Sequence, residues 1–252
     1  MKKTLITLLA LAGVAAADTL TLNLSDLNSP STLIGGEENS ALVTSAEFDN
    51  NTSFSTLTEL FTESGKWYAS KGYNNDIDTT TDKGVSSSDA GVVLVAGGPS
   101  NSGRSTIGGI EFGLTASQLS QFDGPLTFSF NAAHHCGNDN SNHQFTFILM
   151  SESVTLTSAV YNSKEGSNLL EEGAATPLTI ELAFSAEQVD AMKATNADQT
   201  FAFVVYSNAI NGSNTGVLMN NFTMSGQLVP EPTTATLSLL ALCGLAARRR
   251  RR

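Results

Sequence analysis

The chain has 252 residues, with 24 acidic against 13 basic side chains and a formal net charge of −11. A negative field of that size repels nucleic acid and anionic lipid, which excludes a nucleic-acid partner, and it attracts divalent cations. With 40% apolar residues the chain has the material for a core held by burial alone.

In chain order, Lys2 and Lys3, an apolar run from Leu5 to Val14 and then Ala15-Ala16-Ala17 follow the order of a secretory signal peptide. Ala15 and Ala17 stand at the cleavage positions, so 1–17 is expected to be removed, leaving Asp18 first. The run is shorter than the ~20 apolar residues of a membrane span. Leu20, Leu22 and Leu24 alternate with Thr19, Thr21 and Asn23, which predicts a first strand with one buried face. Ala41 to Phe48 is a second candidate strand, and Leu57, Leu60 and Phe61 have the spacing of a short helix. Tyr73 to Ser88, rich in Asn, Asp, Thr, Ser and Gly, is expected to be an exposed loop.

Val92 to Val95 predicts a buried strand, closed by Gly97-Gly98-Pro99. Ile110, Phe112 and Leu114 alternate with polar or small residues, and Thr115 to Gln118 has capping-box spacing for a brief helix. Asp123-Gly124-Pro125 is expected to end that helix, before a strand with Leu126, Phe128 and Phe130 on one face and Thr127, Ser129 and Asn131 on the other. A polar loop and a strand through Phe145, Phe147 and Leu149 follow. Leu178 to Phe184, a second capping box at Ser185 to Gln188, and Thr200 to Phe203 then repeat the earlier strand, helical turn and strand. A strand from about Val217 to Met224 closes a domain at 18–228.

Many short period-two strands, little sustained helix and Gly/Asn/Ser turns predict an all-β, antiparallel two-sheet β-sandwich. Long crossovers carrying one or two short helices favour a jelly-roll-like arrangement over an immunoglobulin-type one. A parallel β-helix is third, since no short strict repeat is visible. An N-terminal signal helix and a C-terminal apolar helix are expected outside the sandwich.

Several constellations are candidates for chemistry. His134, His135 and His143 are all the histidines of the chain and lie near Cys136; imidazoles and a thiolate suit zinc or copper, and His135 with His143 could meet across a loop. A solvated loop is the competing reading. Asp76 and Asp78, with Asp82 and Asp89 beyond, place hard carboxylate oxygens where calcium can bind, although the loop lacks the central Gly and terminal Glu of the helix–loop–helix site. No cofactor is required by the sequence, with calcium the candidate at the acidic loop and zinc or copper at the histidines. Trp67, Tyr68 and Tyr73 lie beside Asn74-Asn75-Asp76, a composition that suits stacking on a sugar; the alternative is that the single Trp anchors the core. No nucleophile elbow, His-Glu-x-x-His or phosphate-cradling Gly loop is present. The expectation is therefore a non-catalytic binding or structural module for a glycan or for adhesion. The competing class is an extracellular hydrolase of polysaccharide, whose acids the sequence does not single out.

The last segment, 229–252, has a different character. Pro230 and Pro232, on either side of Glu231, cannot extend a sheet and mark a linker. An apolar run from Leu237 to Ala247 follows, short for a full bilayer, and then Arg248, Arg249, Arg250, Arg251 and Arg252, which would hold the end on the cytoplasmic side. In this order the tail resembles the PEP-CTERM sorting signal of Gram-negative bacteria. The resemblance covers the tail alone. It implies transient insertion in the inner membrane, processing by an exosortase near Pro230-Glu231-Pro232, and delivery to the cell surface or to extracellular polysaccharide. The two terminal segments hold seven of the 13 basic residues, one of the 24 acidic ones and Cys243. The domain between them would carry a net charge near −17 and a single cysteine, with no internal disulfide.

Overall fold

The computed structural model describes residues 18–28, 34–35, 65, 67–69, 84–88, 91–96, 104–135, 143–166, 168–170, 177–209 and 215–229. The candidate strand at Ala41 to Phe48, the helix-spaced Leu57 to Phe61, the signal segment and the tail lie outside them.

Twelve strands among the described residues form two sheets. They are β1 (Thr19–Asn23), β2 (Ile34–Gly35), β3 (Tyr68–Ala69), β4 (Gly84–Ser88), β5 (Gly91–Ala96), β6 (Arg104–Leu114), β7 (Phe122–His135), β8 (Gln144–Ser151), β9 (Thr157–Asn162), β10 (Leu178–Phe184), β11 (Gln199–Ala209) and β12 (Thr215–Leu228). The first sheet runs β10-β7-β12-β5-β4, with β1 on β12 as well; the second runs β2-β3-β6-β11-β8-β9. Only the short β2–β3 pair is parallel among these. From β5 onward every connection except the β8–β9 hairpin changes sheets. This is the jelly-roll-like antiparallel sandwich that the alternating apolar pattern predicts.

Two helices make the turns at one end, α1 (Ala116–Ser120) between β6 and β7 and α2 (Ala186–Ala194) between β10 and β11. Each opens with a complete capping box, Thr115 with Gln118 and Ser185 with Gln188, so donors that the first turn leaves orphaned are satisfied reciprocally. The sequence repeat has a structural meaning. The first strand of each copy pairs with the second strand of the other: Phe112 lies opposite Phe201 and Leu182 opposite Phe128, while Ile110 faces Phe203 and Ile180 faces Phe130. The two strand–helix–strand units therefore interlock as a pseudo-twofold pair, one pairing in each sheet.

Between the sheets, phenylalanines fill the core. Ring centroids of Phe130 and Phe203 are 4.9 Å apart and those of Phe128 and Phe203 5.2 Å, within the range where aromatic pairs add to simple burial. Phe112 stacks on both Phe128 and Phe201.

Strand β12 is the spine of the first sheet. On one edge it pairs with β7, and along the other β5 takes residues Thr215 to Met219 and β1 takes Thr223 to Gln227. Its inward side chains switch from odd positions, Val217 and Met219, to even ones, Phe222 and Met224. The switch occurs at a bulge between Asn220 and Thr223, where Asn221 has φ 55. One extra residue lets both halves keep their apolar face inward.

Three expectations need correction. Gly84 to Ser88, expected in a loop, is an edge strand on β5; an edge strand is held by its main chain and needs no apolar alternation, and Gly91, at φ 142, takes a conformation L side chains rarely adopt. Asp123-Gly124-Pro125 does not separate helix from strand. Gly124, at φ 74, and a register shift at Gly226/Gln227 carry β7 through it from Phe122. His134 and His135, expected in a loop, belong to β7, whose ladder to Gly216 and Val217 extends to its end. After β12 the Val229 N–H bonds the Gln121 carbonyl at 2.8 Å.

Candidate ligand-binding surfaces

The sandwich has two different ends. Both helices, the Ser151–Thr157 turn, Asp18 and Leu228 lie at the helical end, where the Leu228 N–H bonds the Asp18 carbonyl at 2.7 Å. The opposite, loop end holds His135, Gln144, Asn162, Ala209 and Thr215.

Trp67 is fully buried, a core residue whose indole N–H donates to the Leu27 carbonyl at 2.9 Å. Its ring meets Phe203 of the second sheet and Phe222 of the first, each at 6.0 Å between centroids. A ring enclosed in this way cannot stack on a sugar, so the reading of Trp67 as a binding platform is corrected to core anchor. Tyr68 pairs with Ile34 and Gly109 in the second sheet. Tyr73, Asp76 and Asp78 lie outside the described residues, as do Ala15, Ala17, Pro230 to Pro232 and Arg248 to Arg252.

At the loop end the structure brings His134, not His135, to His143. His134 projects inward from β7 and His143 directly precedes β8, and their rings lie 6.2 Å apart at 29°. Both are buried, at 6% and 1% exposure, whereas His135 is exposed.

The helical end carries an open groove of about 450 Å³ whose lining includes Glu152, Thr155, Glu187 and Gln188. Beside it runs a partly buried polar chain centred on Gln199: Ser153 Oγ donates to Gln199 Oε1 at 2.6 Å and Gln199 Nε2 donates to Thr195 Oγ1 at 2.8 Å. The Glu187 carboxyl is held below its ordinary value by its own backbone N–H and by Ser185. Partial burial, and then repulsion from Glu152, raise the Glu111 carboxyl.

A further surface is the outer face of the first sheet. The two sheets differ here. In the second, Ile148, Met150, Ala202, Val204 and Tyr206 are buried on the outer side as well, so β8 and β11 are enclosed on both faces. In the first, Val93, Ala133 and Leu218 are buried on the outer side at the loop end, and from there toward the helical end the outer side is open across β10, β7, β12 and β1. One row reads Glu181, Ser129, Thr223, Asn23 and the next Ala183, Thr127, Ser225, Thr21, each residue directly opposite the next. Thr179, Asn131 and Asn220 form a third row. All of these side chains are exposed or half-buried. With strands about 4.8 Å apart, each four-strand row is roughly 14 Å wide. Ser129 Oγ and Thr223 Oγ1 are 2.8 Å apart, and Thr179 Oγ1 donates to Asn131 Oδ1 at 3.0 Å. These bonds orient hydroxyls and amides that retain further donor and acceptor capacity. Glu181 is the one charged group in the three rows.

The sequence shows Thr19, Thr21, Asn23, Thr127, Ser129 and Asn131 facing away from the core, but not that they share a surface. Register alone aligns them.

No protein-family model and no curated protein match the chain. Among solved structures, one described as TmCBM61 in complex with beta-1,4-galactotriose shares 7% identity over 63% of this chain and 86% of its own, with a TM-score of 0.35. A second, from work on the promiscuous specificity of carbohydrate-binding modules of the β-sandwich superfamily, shares 10% identity over 62% of this chain, with a TM-score of 0.31. This chain spans 55% of the length of the second. At those scores no residue here is matched to a residue of either, and the fold rests on its own registers.

Proposed function

We propose that this chain is an exported, surface- or matrix-associated module without a catalytic role, which holds a neutral, hydroxyl-rich polysaccharide on the open face of its first sheet. The observation that carries this reading is the set of three in-register rows of Thr, Ser and Asn with one carboxylate. Hydroxyls and amides both donate and accept, as sugar hydroxyls do, and a flat face several strands wide suits an extended chain. Each such bond adds only about 0.5–1.5 kcal/mol net, so affinity depends on many contacts along one polymer. The net charge near −17 disfavours acidic polymers.

The tail completes the proposal. Its Pro230-Glu231-Pro232 linker, apolar run and arginine block support transient membrane insertion and exosortase processing, with the domain delivered to the cell surface or its polysaccharide. The test is a titration of the full chain with neutral and acidic polysaccharides. Binding to a neutral polymer, little changed between 50 mM and 500 mM salt, is the expected result. Binding confined to acidic polymers, or abolished by salt, contradicts it.

A hydrolase is the second reading, favoured by Glu152 and Glu187 sharing one groove. Release of reducing ends that is lost in Glu152→Gln would establish it in place of the first.

A further inference from the structure

The open face of the first sheet has a period as well as a composition. The row from Glu181 to Asn23 and the row from Ala183 to Thr21 each take one residue from β10, β7, β12 and β1. Across the strands these side chains repeat about every 4.8 Å, and along each strand about every 6.8 Å. The third row stops at Asn220, because β1 meets β12 only from Thr223 onward, beyond the bulge. Past that row, the buried outer side chains Val93, Ala133 and Leu218 mark where the open face ends. Among the described residues β10 pairs with β7 alone and β1 with β12 alone, so no further strand closes either end of the two complete rows. The face is bounded along its strands at the loop end and open across them.

That period selects among neutral polymers. A ribbon of six-membered sugars joined through equatorial bonds advances by nearly one strand spacing per sugar and carries hydroxyls along both of its edges. Laid across the strands, it stays in step with the rows, one sugar to a strand. Laid along a strand, it falls out of step with the longer repeat of about 6.8 Å. Between the two complete rows, its edge hydroxyls meet side chains on either side, and the hydroxyls and amides there both donate and accept. The bond between Ser129 and Thr223 holds two of these hydroxyls in place on neighbouring strands. No residue of the rows is aromatic, so recognition rests on the ribbon's edges and not on stacked ring faces. A coiled chain, such as α-linked sugars form, turns its hydroxyls away from the rows after a sugar or two.

We propose that this face selects an extended, equatorially linked neutral ribbon, which lies across β10, β7, β12 and β1 between the two complete rows and places one sugar over each strand. This specificity rests on the polysaccharide reading of the face. The site takes four sugars. Glu181 stands at its β10 end, where a carboxylate accepts from the hydroxyls of the sugar above it more strongly than a neutral group does.

The test titrates the full chain by calorimetry with cello-, manno- and xylo-oligosaccharides of two to six sugars, and with malto-oligosaccharides of the same lengths as the coiled control. In at least one ribbon series, affinity should rise roughly fivefold per added sugar up to four and then level off. The malto series should bind at least tenfold more weakly. Ala183→Arg and Thr21→Arg block opposite ends of one row, on exposed positions of edge strands. Each should end the rise at three sugars, and the double variant at two. Equal binding of the malto series, or a rise that ends at the same length in parent and variants, overturns the ribbon and its direction. So does binding of a neutral polymer with none of the three ribbon series bound; each of these leaves the polysaccharide reading standing. Binding of no neutral oligosaccharide and no neutral polymer overturns that reading as well.

Discussion

Replacing Trp67 separates a structural from a binding role for the only tryptophan of the chain. The ring is fully buried, bridges Phe203 and Phe222 from the two sheets, and satisfies the Leu27 carbonyl. Trp67→Ala opens a cavity between the sheets and leaves that carbonyl unpaired. Large-to-small aromatic substitutions of this kind cost about 3–5 kcal/mol, a large share of the roughly 5–15 kcal/mol that holds a domain together. With a urea slope of about 2–3 kcal/mol/M for a chain of this size, the midpoint falls by about 1–2 M. Trp67→Phe keeps most of the apolar surface and loses the hydrogen bond, so about 1–3 kcal/mol is expected. Urea titrations followed by far-ultraviolet circular dichroism give both values. In the unsubstituted chain, emission should be blue-shifted, shielded from iodide and unchanged by saturating polysaccharide. A Trp67→Ala stability within 1 kcal/mol of the parent, or emission that responds to bound sugar, would refute the placement of this ring in the core.

The capping boxes predict that Thr115→Ala and Ser185→Ala each cost about 1 kcal/mol, read from urea midpoints. Gly91→Ala should destabilise more than either, because a Cβ there runs into the Met219 carbonyl oxygen at a positive φ of 142; thermal melts give the order. Glu111 has a carboxyl raised above its ordinary 4.5 by burial and then by Glu152. The folded state therefore binds that proton more tightly, and the stability it brings is full below the unfolded value and lost as pH rises through the folded one. Glu111→Gln should accordingly raise Tm at pH 7, with the gain vanishing below about pH 4. A gain independent of pH would assign the effect to packing.

Period-two alternation made the core strands legible. Phe128 with Phe130, Phe145 with Phe147, and Ile180 with Leu182 are inward as their spacing predicts. Both helix starts were legible because Ser/Thr with Gln three residues on is a local signal. Elements held by long-range main-chain pairing were not. Gly84 to Ser88 carries no apolar alternation, and although the closing strand through Val217 to Met224 was legible, the bulge that switches its inward side from odd to even positions was not. The candidate surfaces depend on the same missing information. His134 and His143 lie nine positions apart in sequence but meet because β7 and β8 belong to opposite sheets, and Asn23 joins Thr223 and Ser129 through a register that composition does not encode. Trp67 beside Tyr68 reads equally as platform or anchor until its burial is known.

The claim that the open face of the first sheet binds neutral polysaccharide is tested most directly by blocking it. Thr21→Arg and Thr127→Arg place long charged side chains in the row Ala183-Thr127-Ser225-Thr21 without touching the core. Affinity electrophoresis of the full chain through gels containing a bound neutral polysaccharide should show retardation in the parent. In each variant it should be at least tenfold weaker, with Tm unchanged. Retardation undiminished in both variants but abolished by Thr155→Arg would move the binding site to the groove at the helical end and contradict the account.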